Sequence, residues 1–135
     1  MEHETADAEL GPFATALGLV VEVAGPDEAV AHWSAEPHLL QPHGIVHGGV
    51  HCAVVETLAS IGASHWLGDR GRVVGVSNTT DFYRAVTQGR LTSTASPVHR
   101  GRSQQVWRVS TTDEQGRVVA QGQVRLQNLI SSTTA

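Results

Sequence analysis

The stretch that decides the fold is residues 41–60, QPHGIVHGGVHCAVVETLAS. A loop rich in proline and histidine ends here at Gly48 and Gly49, and an apolar helix is predicted from about Gly48 to Leu67. Its apolar positions almost encircle the helix axis, which is typical of a helix covered on several sides. Glu56 is the only acidic residue of this helix. A carboxylate among apolar residues indicates either a structural partner or a chemical role.

Short alternating segments on both sides of this helix predict strands, with one further short helix near 12–17. The predicted strands span residues 19–23, 29–34, 73–83, 90–99, 104–112 and 117–127. In the last strand, Val118 and the even-numbered residues after it form one face, and a hairpin turn at 113–116 precedes it. One long helix and a mostly antiparallel sheet predict an α+β fold in which the sheet curls around the helix.

Length and composition limit the class of protein. The 135 residues suffice for one domain, which we place at 11–130, between a flexible amino-terminal tail at 1–10 and a carboxy-terminal tail at 131–135. No apolar run approaches the ~20 residues of a membrane span, and the acidic start does not resemble a secretory signal. Cys52 is the single cysteine, so a disulfide framework is excluded. We expect a cytoplasmic protein with no membrane partner.

Charge is distributed unevenly along the chain. All basic residues except histidine are arginines between Arg70 and Arg125, although the net charge is -4. Because arginine binds phosphate through a bidentate fork, this basic half indicates an anionic partner. Nucleic acid is not expected, since the chain is acidic overall and has few aromatic residues for base stacking.

The start of the long helix has the features of an acyl-transfer site. The first N–H groups of a helix have no partner within it, and glycines at 48 and 49 let a substrate carbonyl approach them. Glu56 lies two turns further on, with Ser60 on the same helical face and Gln41 in the preceding loop. A thioester suits such a site because a thiol of pKa ~8.5 leaves without a strong acid. Glu56 would either attack the carbonyl or take a proton from water.

These residues keep the spacing of a known family. They are joined further along the chain by Val74-Gly75, Arg84, Gly89-Arg90, residues 97–101 and Gln105-Val106-Trp107. From about Phe13 to Leu129 the chain resembles the hotdog-fold acyl-CoA thioesterases of the phenylacetate-type superfamily. The closest resemblance is to the subgroup of 1,4-dihydroxy-2-naphthoyl-CoA thioesterase and the glutamate-dependent 4-hydroxybenzoyl-CoA thioesterase.

The resemblance implies a fold, an assembly and a set of catalytic roles. A sheet would wrap the central helix, and two subunits would pair into one continuous sheet with active sites at their interface, as a homodimer or a homotetramer. Glu56 would be the nucleophile or general base, and the Gly48 N–H would polarise the carbonyl. Gln41 would bind water or the carbonyl, His47 would orient the site, and Ser60 would support the acyl group or the water.

The resemblance also implies residues that bind the substrate. They are Gly49, Phe82, Arg84, His99, Arg100, Gly101, Arg102 and Ser103, with the basic ones facing the coenzyme A phosphates. Phe82 stands where some naphthoyl-CoA enzymes carry a histidine. No separate cofactor is expected, because coenzyme A is part of the substrate.

Alternatives remain open at this stage. The same architecture serves acyl-CoA-binding modules without catalysis, and enoyl-CoA hydratases, although the Asp/His pair of the latter is not found. His43, His47 and His51 recur at intervals of four and invite a metal hypothesis, but the loop before Gly48 interrupts helical geometry between the first two. We expect no metal site. His51 is an unusual residue so close to the start of the helix.

Overall fold

A 20-residue helix packs against a six-stranded antiparallel sheet in the structure, a computed structural model that describes residues 10–131. The helices are α1 over residues 10–16 and α2 over Gly48–Leu67. The strands are β1 Val20–Ala24, β2 Ala29–Ser34, β3 Gly71–Phe82, β4 Arg90–Arg100, β5 Gln104–Thr112 and β6 Val118–Ile130. Short 3-10 turns occupy Pro37–Leu39 and Gly68–Arg70. The predicted hotdog arrangement, a sheet around one central helix, is confirmed.

Local sequence signals set the ends of α2. His47 precedes the helix in an extended conformation, and its Nδ1 accepts a hydrogen bond from the Gly49 N–H at 2.8 Å. At the other end Gly68 takes a φ of 62°, a left-handed value that glycine adopts without a steric penalty. The bounds of α2 predicted from the sequence are confirmed.

The order of the strands leaves β3 at an edge. The sheet runs β1-β2-β4-β5-β6-β3, so that β3 pairs only with β6 although β4 follows it in the chain. Val74 and Val76 are exposed on this edge strand, at 41% and 49% of their surface. An unpaired edge with exposed apolar residues is a ready site for pairing with another strand.

The alternation predicted for β6 holds over most of its length. Ala120, Gly122, Val124 and Leu126 are buried, as expected for one face of the strand. The prediction is wrong at the beginning of the strand, where Val118 is exposed and Val119 is buried instead. Thr111 opposes Ala120 while Thr112 opposes Val118, so Val119 is an extra residue that reverses the alternation.

Two buried features join α2 to the middle of the sheet. Gly62 brings the helix close to Trp107, since a Cβ atom built on Gly62 would lie 2.5 Å from the indole Cζ3. Gln105 is fully buried, and its side-chain amide donates to the Ala63 carbonyl and to Asn128 Oδ1. Its Oε1 accepts from the Trp107 indole N–H at 2.8 Å. Close packing and a satisfied polar network therefore hold the same part of the core.

The predicted tails lie outside the described residues except at two positions. Leu10 is already helical, and the Ser131 N–H donates to the Arg70 carbonyl at 2.9 Å. Among residues 10–131, no helix has both the length and the apolar character needed to cross a membrane.

Candidate active site

α2 and β3 lie side by side and run in opposite directions. The Phe82 ring at the end of β3 packs on Gly48 at the start of α2. Midway, Asn78 Nδ2 donates to the Cys52 carbonyl at 2.9 Å. Further along, the Glu56 side chain lies over Gly75, where a Cβ atom would be 3.6 Å from the Glu56 Cδ. Gly48 and Glu56 are therefore each level with a defined position on the edge strand.

The first turn of α2 offers one unpaired backbone donor. The N–H groups of Gly49 and Val50 both bond to His47, one to the imidazole and one to the carbonyl. The Gly48 N–H has no hydrogen-bond partner within residues 10–131. His47 is thus the cap of the helix. The Gly48 amide next to it lies at the positive end of the helix dipole, where an oxyanion is stabilised.

A cavity of about 380 Å³ opens at this end of the helix. Its walls include Gln41, Gly48, His51, Phe82, Tyr83 and Arg84. Gln41 is held in a tight turn, in which its Oε1 accepts from the His43 N–H and its backbone carbonyl accepts from the Gly44 N–H. The structure therefore brings Gln41 and Gly48 together in one partly aromatic cavity.

Glu56 and Ser60 lie in a different depression. It has a volume of about 230 Å³ and is bounded by Leu10, Thr57 and Ser64 as well. Glu56 is exposed on the open side of α2, although the apolar sequence around it predicted a desolvated position. At 1.5 Å of rise per residue, eight residues separate it from Gly48 by roughly 12 Å. Within one chain the carboxylate and the free amide do not meet.

The residues predicted for coenzyme A also divide between two ends of the sheet. Arg84 bonds through its N–H to the Val119 carbonyl, near the start of β6. Arg100 pairs with Gln105, which in turn pairs with Leu126, seven residues further along β6. At about 3.3 Å per residue, this offset is roughly 23 Å. His99, Gly101, Arg102 and Ser103 lie with Arg100.

Arg100 also forms hydrogen bonds to residues of its own chain. Its guanidinium donates to Asp27 Oδ1 and to the Pro26 carbonyl, both at 2.7 Å. Arg84 is exposed and forms no ion pair among the described residues. Of the predicted arginines, Arg84 is therefore the one beside the Gly48 cavity with its charge unneutralised.

His51 is a site residue that the sequence pattern did not assign. Its side chain is 3% exposed, and its ring contacts Trp33 edge-on and Phe82 at a tilt, with centroid distances of 5.7 and 5.9 Å. Burial lowers its pKa to about 4. The sequence feature that could have identified His51 is its place one turn after Gly48 in an otherwise apolar helix. Among residues 10–131, no three histidine, cysteine, aspartate or glutamate side chains are grouped to hold a metal.

A family profile described as the Thioesterase superfamily matches residues 43–120, more than half of the chain. This chain belongs to the thioesterase superfamily. The matched range includes Gly48, Glu56 and Phe82, the positions at which α2 and β3 adjoin. The resemblance found in the sequence is confirmed, and the chain is placed among the thioester hydrolases.

Individual relatives align with most of the length of this thioesterase. It is 54% identical over 121 residues to Rv1847 of Mycobacterium tuberculosis, covering 87% of this chain and 86% of that protein. It is 34% identical to the proofreading thioesterase EntH of Cronobacter sakazakii, covering 85% and 87%. The crystal structure of AziG from S. sahachiroi superposes with a TM-score of 0.89 at 64% identity, covering 90% of this chain and 99% of that one.

Proposed function

We propose that this thioesterase hydrolyses acyl-CoA thioesters with an aromatic or medium-sized acyl group to the free acid and coenzyme A. Glu56 is the nucleophile or general base, and the Gly48 N–H polarises the thioester carbonyl. The observation that carries the proposal is that α2 runs along the unpaired edge of β3. Gly48 lies beside Phe82 at one end of this strand, and Glu56 lies beside Gly75 nearer the other end.

Pairing of two chains through β3 would complete the site. When two edge strands pair antiparallel about an axis near their middle, the Gly75 region of each chain moves towards the Phe82 end of the other. Glu56 of one subunit then approaches the Gly48 amide of its partner. Within one chain the two groups cannot meet, because ~12 Å of helix separates them. The exposed Val74 and Val76 support such an interface. The catalytic unit is accordingly a homodimer, and two dimers associate into a homotetramer.

The same pairing accounts for the divided basic residues. Arg84 lies at the Phe82 end of β3, whereas Arg100 and Arg102 lie near its Gly71 end. An antiparallel dimer brings Arg84 of one subunit to the same end of the double sheet as Arg100 and Arg102 of the partner. Two phosphate-binding sets of arginines then serve two equivalent coenzyme A sites.

The chemistry follows one of two balanced routes. In the first, Glu56 removes a proton from water, the hydroxide adds to the carbonyl carbon, and the Gly48 N–H stabilises the oxyanion. Collapse of the tetrahedral intermediate breaks the carbon–sulfur bond and releases the thiolate of coenzyme A. In the second, Glu56 itself attacks, the thiolate leaves, and water hydrolyses the resulting anhydride. Oxygen-18 retained in Glu56 after one turnover in labelled water would identify the second route.

Release of free thiol from a panel of acyl-CoAs tests the proposal. Glu56→Gln should lower kcat at least ~100-fold, as expected for loss of a positioned acid or base. Glu28→Gln, which alters an exposed carboxylate in the turn between β1 and β2, is the matched control and should retain the wild-type rate. Equal rates in both variants would reject the role of Glu56.

Two other activities are distinguished by the same reagents. An acyl-CoA-binding module without catalysis would bind the panel tightly but release no thiol. An enoyl-CoA hydratase would add water to crotonyl-CoA without releasing thiol. A cytoplasmic location is part of the proposal, since Cys52 has no cysteine partner and a reducing compartment keeps such a thiol free.

A further inference from the structure

Asn78 joins the edge strand β3 to α2 through a side-chain hydrogen bond. Its Nδ2 donates to the Cys52 carbonyl at 2.9 Å. Because Cys52 lies within α2, the same carbonyl is also the acceptor for the Glu56 N–H four residues later. Asn78 therefore holds the backbone of the helical turn that carries the proposed catalytic carboxylate.

Neighbouring residues fix the orientation of the Asn78 amide. Thr80 Oγ1 donates to Asn78 Oδ1 at 2.7 Å, which leaves Nδ2 as the atom directed at α2. The Thr80 hydroxyl lies in space that a glycine provides on the adjacent strand, because a Cβ atom on Gly122 would collide with Thr80 Oγ1. Both polar atoms of this half-buried side chain are thus bonded, and the amide is held in one orientation.

Cys52 lies midway between the two proposed catalytic groups of α2. It is four residues, or about 6 Å of helix, from Gly48 and from Glu56. A two-fold axis that brings Glu56 of one subunit level with Gly48 of its partner must pass the helix at the level halfway between them. Asn78 bonds to α2 at this level. The axis between two paired β3 strands would therefore pass beside Asn78 and Thr79.

We propose that Asn78 is a positioning residue, which sets the separation between Glu56 of one subunit and the Gly48 amide of its partner. This inference rests on the proposed function, because it takes these two groups as one active site formed across β3. Since the Asn78–Cys52 bond lies beside the axis, a shift of α2 at this point moves the carboxylate and the amide of both active sites. A misplacement of about 1 Å can cost roughly 100-fold in rate.

Steady-state kinetics on one acyl-CoA test the role of Asn78. Asn78→Leu, which keeps the size of the side chain but removes the bond to α2, should lower kcat by roughly 10-fold or more while KM stays within about 2-fold. Thr80→Val, which removes only the bond that orients the amide, should lower kcat by a smaller factor.

Thr112→Val is the matched control for the loss of a hydrogen bond. It removes a half-buried bond from a side chain to a backbone carbonyl, between β5 and β4 instead of between β3 and α2, and should keep the wild-type kcat. A folded, dimeric Asn78→Leu protein with the wild-type kcat overturns the inference. If Asn78→Leu does not fold, an unchanged kcat in Thr80→Val overturns it.

Disulfide cross-linking locates the axis without any need for catalysis. In a Cys52→Ala background, oxidised Thr79→Cys should form a covalent dimer, because opposed residues of paired strands lie about 5 Å apart, within reach of a disulfide. Arg72→Cys, at an exposed position of the same strand, should not. Two such residues would lie seven positions to either side of Thr79, roughly 46 Å apart.

Together the two measurements separate this inference from the proposed function. Failure of Thr79→Cys to cross-link, or equal cross-linking by Arg72→Cys, overturns the placement of the axis and with it the role of Asn78. Thiol release by the wild type, with kcat unchanged in Asn78→Leu, overturns the inference and leaves the proposed function standing. A Thr79→Cys cross-link in a protein that hydrolyses no acyl-CoA rejects the proposed function and upholds the placement of the Asn78–Cys52 bond beside the axis.

Discussion

The ring of Phe82 lies directly against Gly48, and a Cβ atom on Gly48 would be 2.9 Å from the ring carbons Cε2 and Cζ. Glycine at this position therefore keeps the helix amide and the aromatic ring in contact. Gly48→Ala should displace the ring into the cavity and lower kcat/KM at least about 10-fold, because small displacements at a reacting centre have large effects on rate.

A double variant separates crowding from other effects of the alanine. Phe82→Leu in the Gly48→Ala background removes the ring atoms that the new methyl group meets. We expect the double variant to recover activity relative to the single Gly48→Ala protein. Steady-state kinetics on one acyl-CoA decide this, and a Gly48→Ala protein with wild-type kcat/KM would contradict the steric explanation.

Pairing through β3 predicts a difference between the two edges of the sheet. Val76 lies on the β3 edge strand and Val23 on the β1 edge strand, and they are exposed to similar extents, 49% and 42%. Val76→Lys should weaken the dimer and reduce activity with it, because charged residues on an edge oppose strand pairing. Val23→Lys should change neither property.

Sedimentation velocity over a range of protein concentrations measures this effect, with thiol release assayed on the same samples. Dissociation and loss of activity should appear together as the Val76→Lys protein is diluted. A monomeric wild type with full activity would exclude an active site formed across β3.

The contact of Gly62 with Trp107 predicts a loss of stability on adding a single methyl group. A Cβ atom on Gly62 would be 2.5 Å from Trp107 Cζ3 and 2.7 Å from Cη2. Overpacking of this kind costs about 1–3 kcal/mol, more than the ~1 kcal/mol by which alanine is favoured over glycine in a helix. Urea denaturation should show Gly62→Ala to be less stable than the wild type.

Ser64→Ala is the control for helix propensity, because Ser64 is exposed on the same helix. Its free energy of unfolding should stay within about 0.5 kcal/mol of the wild-type value. If Gly62→Ala instead gained stability, the close approach of α2 to Trp107 would be wrong.

The buried network around Gln105 predicts a larger effect from a change that preserves volume. Gln105→Leu leaves the Trp107 indole N–H, the Ala63 carbonyl and Asn128 Oδ1 without their bonds to this side chain. Unsatisfied buried groups should lower the free energy of unfolding by about 3 kcal/mol. The matched change Gln123→Leu, at an exposed position of β6, should have an effect below about 0.5 kcal/mol.

Burial of His51 predicts a specific dependence of stability on pH. Its pKa falls from 6.5 to about 4 on folding, so below pH 6.5 the unfolded chain binds this proton more readily than the folded chain. The free energy of unfolding therefore falls as the pH drops from 6.5 towards 4, by about 1.4 kcal/mol per pH unit. The full loss from this group is about 3 kcal/mol.

His51→Leu removes this contribution while leaving the other titrating groups in place. Between pH 7.5 and 4.5 the wild type should lose about 2–3 kcal/mol more stability than the variant, measured by urea denaturation at equal protein concentration. Parallel pH profiles for the two proteins would show that the imidazole is not held neutral by burial.

Signals that operate over short distances along the chain allowed much of the fold to be predicted. The Gly48–Leu67 helix, the strands 29–34 and 104–112 and the 113–116 turn follow from apolar period and turn residues alone. The exception at Val118 and Val119 arose because a bulge depends on how β5 and β6 pair, which the alternation within one strand does not contain.

The sequence by itself determined which residue types line the start of α2 and that Gly48 and Glu56 share one helix. Only the tertiary structure decided that β3 lies at the edge beside β6, and that Trp33 and Phe82 enclose His51. The physical reason is the separation along the chain of the residues whose contacts specify each feature. A helix or turn is specified by neighbours within a few residues, whereas strand order and burial result from contacts between segments far apart in the chain.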